Sequence, residues 1–269
     1  MGTVQSSKKI AIITGASSGL GIEFARQIEK KYFLDEVWLI ARRAAPMKEL
    51  ADKFQKSKGV ILPLDLTNEG DLATLKKRLS QEQPDLQFLV NNAGYGKIGP
   101  FAELGLEEQL QMVDLNVRTL TYISHIAIPY MLPRAKMIQV ASSIGFAPAP
   151  FFAVYAATKS YVVSFSEALN FELRDRGIAV TAVCPGPVAT EFFSVAQKNQ
   201  FMRDKVGTAE PFNKSVTAEA KDVVAHALHD AARDKRRSIF SLPIQLFVFF
   251  APLIPHGLLM RALSQRKTN

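Results

Sequence analysis

The chain has 269 residues, 48% of them apolar and 22% charged, the balance of a globular protein long enough to bury a substantial core. Its single cysteine, Cys184, excludes an internal disulfide and points to a reducing compartment. The formal charge of +8 is spread along the sequence without a nucleic-acid recognition motif, which argues against nucleic acid and leaves an anionic lipid or an anionic small molecule as the partner of the surplus.

The first apolar run, residues 10–13, is too short for the core of a signal peptide, so a cytoplasmic protein is expected. From there short apolar runs at 9–14, 37–41, 59–64, 87–91, 137–142, 178–184 and 238–241 alternate with helix-like stretches at 19–31, 71–81, 107–130 and 153–176. This alternation predicts an α/β fold, a doubly wound and mostly parallel seven-stranded sheet with helices on both faces. No linker, low-complexity segment or repeat divides the chain, so one domain over residues 1–269 is expected. In open sheets of this kind ligands bind beyond the carboxyl ends of the strands, and the conspicuous residues fall there.

After the first strand comes TGASSGLG, Thr14 to Gly21, opening a helix. Its glycines allow a tight turn and let the backbone approach a pyrophosphate at the positive helix N-terminus. The second strand ends in Ala41, Arg42 and Arg43. An acidic residue here would accept hydrogen bonds from a ribose diol, whereas a guanidinium fork pairs with a 2′-phosphate, so NADP(H) is expected, with Arg42 as the main contact and Ser17 nearby. Asp65 follows the third strand, beside Thr67 and Asn68 as candidate helix caps. Asn91–Gly94 follows the fourth, and Asn116 sits inside the helix predicted at 107–130, where an amide is unfavourable without a task. Ser142 and Ser143 compete, at the end of the fifth strand, for the task of stabilising a developing charge on a substrate oxygen. Tyr155 and Lys159, four apart, share a helical face, and a nearby ammonium is expected to lower the phenol's pKa enough for it to trade protons near neutral pH.

Taken in order, TGASSGLG, NNAG, YAATK (Tyr155 to Lys159) and the Pro185–Gly186 pair resemble the short-chain dehydrogenase/reductase family over about residues 8–190, with details of 141–158 and 185–192 like a single-domain, NADP-preferring bacterial branch. The resemblance implies a Rossmann-like fold and an NADP(H)-dependent oxidoreductase interconverting a ketone or aldehyde and its alcohol. By resemblance Gly15, Ser17, Ser18, Gly19, Leu20 and Gly21 cradle the pyrophosphate. Asp65 contacts adenine, Leu66 lines its slot, and Asn92, Ala93 and Gly94 pack beside the adenosine. Pro185, Gly186, Val188 and Thr190 meet the nicotinamide, as do Tyr155 and Lys159. Tyr155 is the acid/base and Lys159 its tuner. Ser142, thirteen residues before Tyr155, is the oxygen stabiliser in preference to Ser143. Asn116 holds a water in a relay that reaches Lys159. The family's habit also implies a homodimer or homotetramer built on the helices predicted at 107–130 and 153–176.

Other chemistries are less well served. His226 and His229 are three apart on a predicted helix but suggest no third ligand, so no metal is expected. No nucleophile-elbow spacing supports a hydrolase. A non-catalytic dinucleotide-binding sensor is the alternative, and an epimerase or dehydratase of larger relatives would need a different glycine spacing. The resemblance implies that the region between Phe192 and Thr217 closes over the substrate, and its apolar content then suggests a lipophilic carbonyl or alcohol. Finally, residues 242–263 are apolar and uncharged until Arg261, with basic residues at 233–237 and 261–267 on either side and Pro243, Pro252 and Pro255 to break a spanning helix. They are expected to cover the substrate pocket or another subunit, with peripheral membrane contact or a transmembrane span as the other readings.

Overall fold

A computed structural model describes residues 7–192 and 217–264. Seven parallel strands form one sheet: β1 (Lys9–Thr14), β2 (Glu36–Ile40), β3 (Lys58–Leu62), β4 (Asp85–Asn91), β5 (Lys136–Val140), β6 (Ala179–Val183) and the two-residue β7 (Arg237–Ser238). Their order is β3-β2-β1-β4-β5-β6-β7, the doubly wound pattern expected from the alternation. The strands alternate their side chains between two apolar layers. Ile10, Ile12, Trp38 and Ile40 enter one layer, while Ala11, Ile13, Val37 and Leu39 enter the other.

Each layer is closed by helices whose apolar positions recur at helical spacing. On the first face lie α3 (Glu69–Glu82), α5 (Leu120–Ala127) and α6 (Ala153–Leu173), contributing Leu72, Leu75, Leu79, Ile123 and Leu169. On the other lie α1 (Gly19–Lys31), α2 (Ala44–Ala51) and α7 (Ala220–Ala232), contributing Phe24, Ile28, Met47, Leu50, Val224 and Leu228. Asn68 caps α3, its side-chain oxygen accepting from Asp71 N at 3.1 Å. The tail forms α8 (Leu242–Phe250), a short 3-10 turn at Ala251–Leu253, and α9 (His256–Ser264).

Two expectations are corrected. The predicted helix at 107–130 is not one rod: α4 (Leu106–Val113) passes into a π-turn at Asp114–Thr119, then α5, then a 3-10 turn at Ile128–Tyr130 that contains Pro129. The π-turn is held by tertiary bonds that periodicity does not report, from Asn116 to Tyr95 and Thr158 and from the Thr119 hydroxyl to Leu66 O at 2.6 Å. Strands β3 and β5 also stop two residues before their predicted ends, because the chain leaves the sheet through tight two-residue bonds: Leu64 N to Leu62 O and Ala141 N to Gln139 O. Asn92 N to Val90 O repeats this exit at β4. The carboxyl edge is therefore lined by loops rather than by longer strands.

The order in which strands are added reverses between the parallel neighbours β1 and β4, and a knot of hydrogen bonds ties their carboxyl ends together. The Thr14 hydroxyl donates to Val90 O and accepts from the backbone N–H groups of Asn92 and Ala93, both at 3.0 Å. The Asn92 amide returns to Thr14 O at 3.0 Å and Gly15 O at 3.2 Å. Thr14→Val keeps the volume but strands these N–H groups. It is expected to lower stability by about 2–4 kcal/mol, read as a fall in the urea midpoint with an unchanged slope.

Candidate active site

The cleft opens at this switch point and encloses about 750 Å³. At one end the turn after β1 packs too closely for side chains. Gly15 has φ +66°, and a Cβ on Gly21 would stand 2.1 Å from Gly15 O. Ser17, Ser18, Gly19 and Leu20 complete this floor. Thr190 lies over it, its methyl group 3.1 Å from where a Cβ on Gly19 would stand.

The two arginines after β2 differ in what they do. Arg43 donates to Ser17 O and to the Glu191 carboxylate, each at 3.2 Å, closing a strap over the glycine turn. Arg42 lines the cleft, and its charge is felt at Asp65 and Tyr95. Burial works against the Asp65 carboxylate, but hydrogen bonds from Thr67 and the Arg42 charge outweigh it and hold its pKa below the usual range. Leu66, Asn92, Ala93 and Gly94 line the wall between this end and the centre.

At the centre Tyr155 and Lys159 project from one face of α6 beside Ser142, which follows β5. Tyr155 is 7% exposed and lies between two phenyl rings, Phe152 at 4.7 Å and Phe192 at 5.3 Å between centroids. Lys159 is 5% exposed, donates to Val140 O at 2.7 Å, and its Nζ lies 5.7 Å from the Tyr155 ring centre. Burial pushes the phenol well above its ordinary pKa, and a hydrogen bond with Ser142 pulls it part of the way back. This reverses the expected lowering of the phenol's pKa by Lys159. The same dry surroundings lower the lysine to about 8. Of the two serines, Ser142 is the one that reaches the phenol, and its hydroxyl also faces Pro185 O at 3.5 Å.

Asn116 is buried behind this group. Its oxygen accepts from Tyr95 N at 3.1 Å, while its amide donates to Tyr95 O at 2.9 Å and to the Thr158 hydroxyl at 3.1 Å. Both N–H donors are thus spent inside the protein. Pro185, Gly186 and Val188 form the far wall, and Val188 bridges to Ala218 beside a bond from Ala189 N to Ala218 O at 2.9 Å. Cys184 is buried, and burial lifts its thiol to about 12, so it behaves as a small core side chain.

The predicted catalytic and cofactor residues therefore come together along one cleft, with Gly21 packed beneath its floor and Asn116 just behind its wall. Tyr95, Gln111, Ile144 and Phe152 also line it and were not anticipated. Their only sequence signals are adjacency, Tyr95 following NNAG and Phe152 preceding Tyr155 by three, since a pocket-facing aromatic has no period of its own. The aromatic residues Phe193, Phe201 and Phe212, and Met202, lie outside the described residues. His226 pairs with Asp230 at 3.0 Å on α7, while His229 faces Arg233 at 3.5 Å.

A family model described as short chain dehydrogenase matches residues 9–200. The uncharacterized oxidoreductase YusZ of Bacillus subtilis (strain 168) is 32% identical over 196 residues, 72% of this chain and 70% of that protein. Among solved structures, a short-chain dehydrogenase from Sphingobium yanoikuyae in complex with NADPH is similar at TM-score 0.75 and 27% identity, over 97% of this chain and 98% of the other. The bulky-bulky ketone specific alcohol dehydrogenase from Comamonas testosteroni is similar at TM-score 0.71 and 25% identity, over 97% and 95%.

The buried lysine makes a pH test possible. With a folded pKa of about 8 against an ordinary value of 10.5, Lys159 loses its proton in the folded chain while the unfolded chain still holds one. Its cost to folding is full below pH 8 and is relieved as pH rises toward 10.5. Tyr155 acts oppositely, but only above the ordinary phenol value of 10.0. Urea unfolding of the wild type is therefore expected to gain about 2 kcal/mol between pH 8 and 10 relative to Lys159→Met. Parallel profiles would show that the ammonium is not desolvated.

Proposed function

The chain belongs to the short chain dehydrogenase family, and from that premise we propose that it moves a hydride between NADP(H) and the carbonyl or alcohol carbon of a lipophilic substrate. The observation that carries this reading is the convergence of the Tyr155 phenol, the Ser142 hydroxyl and the Lys159 amine on a cleft that begins at a glycine floor. The residues present fit a dinucleotide. Glycine at 15 and 21 lets the turn fold tightly against Asn92 and Ala93, which leaves its backbone as the cleft floor a pyrophosphate would approach, and Arg42 supplies a guanidinium along the cleft that a 2′-phosphate would pair with. Asp65 and Leu66, with Asn92, Ala93 and Gly94, would hold the adenosine end, and Pro185, Gly186, Val188 and Thr190 the nicotinamide end. NADPH, the cofactor of the Sphingobium yanoikuyae relative, supports the phosphorylated form. Bound there, the nicotinamide supplies or accepts the hydride.

The protein's own part is proton handling. The Tyr155 phenol is protonated at neutral pH, the more firmly for its burial, and is placed to donate to the substrate oxygen as negative charge develops there. Ser142 donates a second hydrogen bond to that oxygen. The phenolate left behind is favoured by Lys159, which at neutral pH is still mostly charged. Asn116 acts as a positioning residue, fixing the backbone of Tyr95 and the Thr158 hydroxyl beside Lys159. Its oxygen, not its N–H groups, is what a relay water could use. Phe152 and Phe192 exclude bulk water from the phenol.

The apolar wall formed by Leu115, Ile144, Phe152 and Phe192 supports a lipophilic carbonyl or alcohol, and the ketone preference named for the Comamonas testosteroni relative agrees. The outer face of α4, with Leu106, Leu110 and Val113 exposed, and Tyr161 and Phe171 on α6, support assembly into a homo-oligomer.

With NADPH and a panel of bulky ketones, Tyr155→Phe is expected to lower kcat by about 10²–10⁴-fold while leaving NADPH affinity within a few-fold. Full turnover by that variant would refute the assignment. Arg42→Ala is expected to raise the KM for NADPH by about 10-fold or more with little change for NADH, as removal of one charge-assisted phosphate contact requires. Equal changes for the two cofactors would show that Arg42 does not read the phosphate.

A further inference from the structure

The tail leaves a surface that the reaction does not use. One side of α8 belongs to the protein body: Val248 and Ala251 are buried, and Ile244 fills the space where a Cβ on Gly186 would stand, 2.6 Å from its Cδ1. The other side is apolar and exposed. Leu242 is 65% exposed, Phe249 67% and Leu253 70%, with Leu246, Phe250 and, on α9, Leu258 beside them. So many exposed large aliphatic and aromatic side chains on two successive helices and the turn between them are of the kind that soluble surfaces avoid.

What would cover it is indicated by its polar inventory. Protein interfaces carry about one hydrogen bond per 100–200 Å². The exposed side of α8 has a single polar side chain, Gln245, and its amide already donates to Ile239 O at 3.0 Å. The helix starts are also stripped of donors. Pro243 stands in the first turn of α8, Pro252 in the first turn of the 3-10 segment, and Pro255 just before α9. A proline there removes an N–H that would otherwise need water. Such economy suits a hydrocarbon medium, where an unpaired backbone donor is costly.

Charge points the same way. Residues 238–269 contain three basic side chains, Arg261, Arg266 and Lys267, and no Asp or Glu. An isologous contact between two copies would bring two such tails of net positive charge together. An anionic lipid surface complements that charge. The upstream basic run contributes less than the sequence suggests. Arg233 and Arg236 lie before β7 rather than on the tail helices, and Arg237 is paired with Glu167 and stacked on Phe146 at 5.1 Å. Among the described residues no helix is long and apolar enough to cross a membrane. Helices of nine residues cover less than half of a hydrocarbon core.

We propose that α8 and α9 form an interfacial docking surface for an anionic lipid membrane, lying in its plane rather than crossing it. Through Ile244 on Gly186, docking holds a wall of the cleft beside the lipid.

Co-sedimentation of the full chain with phosphatidylcholine vesicles, with and without 30% (about one lipid in three) phosphatidylglycerol, tests this without reference to activity. Partition is expected to be strong only with the anionic lipid and to weaken at high salt. Leu246→Ser/Phe249→Ser/Leu253→Ser is expected to lose binding by about 10-fold or more while keeping its far-UV spectrum and thermal transition. The proposal is overturned if the wild type stays in the supernatant, or if the triple variant partitions equally well. It is also overturned if sedimentation equilibrium shows the triple variant dissociating an oligomer that does not bind vesicles, which would make a second copy the occupant.

Discussion

The bond set around Thr14 is the constraint on which the rest of the molecule depends. One hydroxyl and one carboxamide, Asn92, join the ends of β1 and β4 and dictate the path of the glycine turn between them. Strands β1 and β4 are neighbours in the sheet but far apart in sequence, so nothing local holds them in register at this edge. Without the knot the turn would have no fixed wall, and the spaces that exclude a Cβ at Gly15 and Gly21 would have no definite shape. Pairing the Thr14 hydroxyl, the Asn92 amide N–H groups and the two backbone N–H groups there makes the floor of the cleft rigid before any ligand arrives.

The centre of the cleft takes the opposite course. A phenol and an amine are buried together among Phe152, Phe192 and β5, and both are pushed toward their neutral forms. That arrangement costs folding free energy and is tolerated because the amine keeps one good acceptor in Val140 O and the phenol keeps Ser142. Groups held in such a state are sensitive to any charge that enters the cleft, which is the property a proton-transfer site requires.

The tail shows how a fold can complete its core and still present an unsatisfied surface. Val248, Ala251 and Leu259 bury themselves against the body, so α8 and α9 are anchored, yet their outer sides gain nothing from water. The helix breaks at Pro252 and Pro255 keep the segment as two short pieces lying on the protein.

Much was legible from residue order. The alternating apolar runs determine a doubly wound parallel sheet, because strands buried on both faces and helices of period 3.6 leave different signatures, and the glycine-rich turn, the arginines and the Tyr155–Lys159 pair can be placed at strand ends or on one helical face by counting. The long helix at 107–130 was misread because its π-turn is imposed by Asn116 and Thr119 reaching Tyr95, Thr158 and Leu66, partners 21 to 53 residues away. The direction of the Tyr155 shift was misread for the same reason, since i,i+4 spacing reports proximity but not dryness. Sequence by itself determined which chemical groups lie at the carboxyl edge; only the tertiary structure decided which of them are buried, because desolvation is set by neighbours brought from distant parts of the chain.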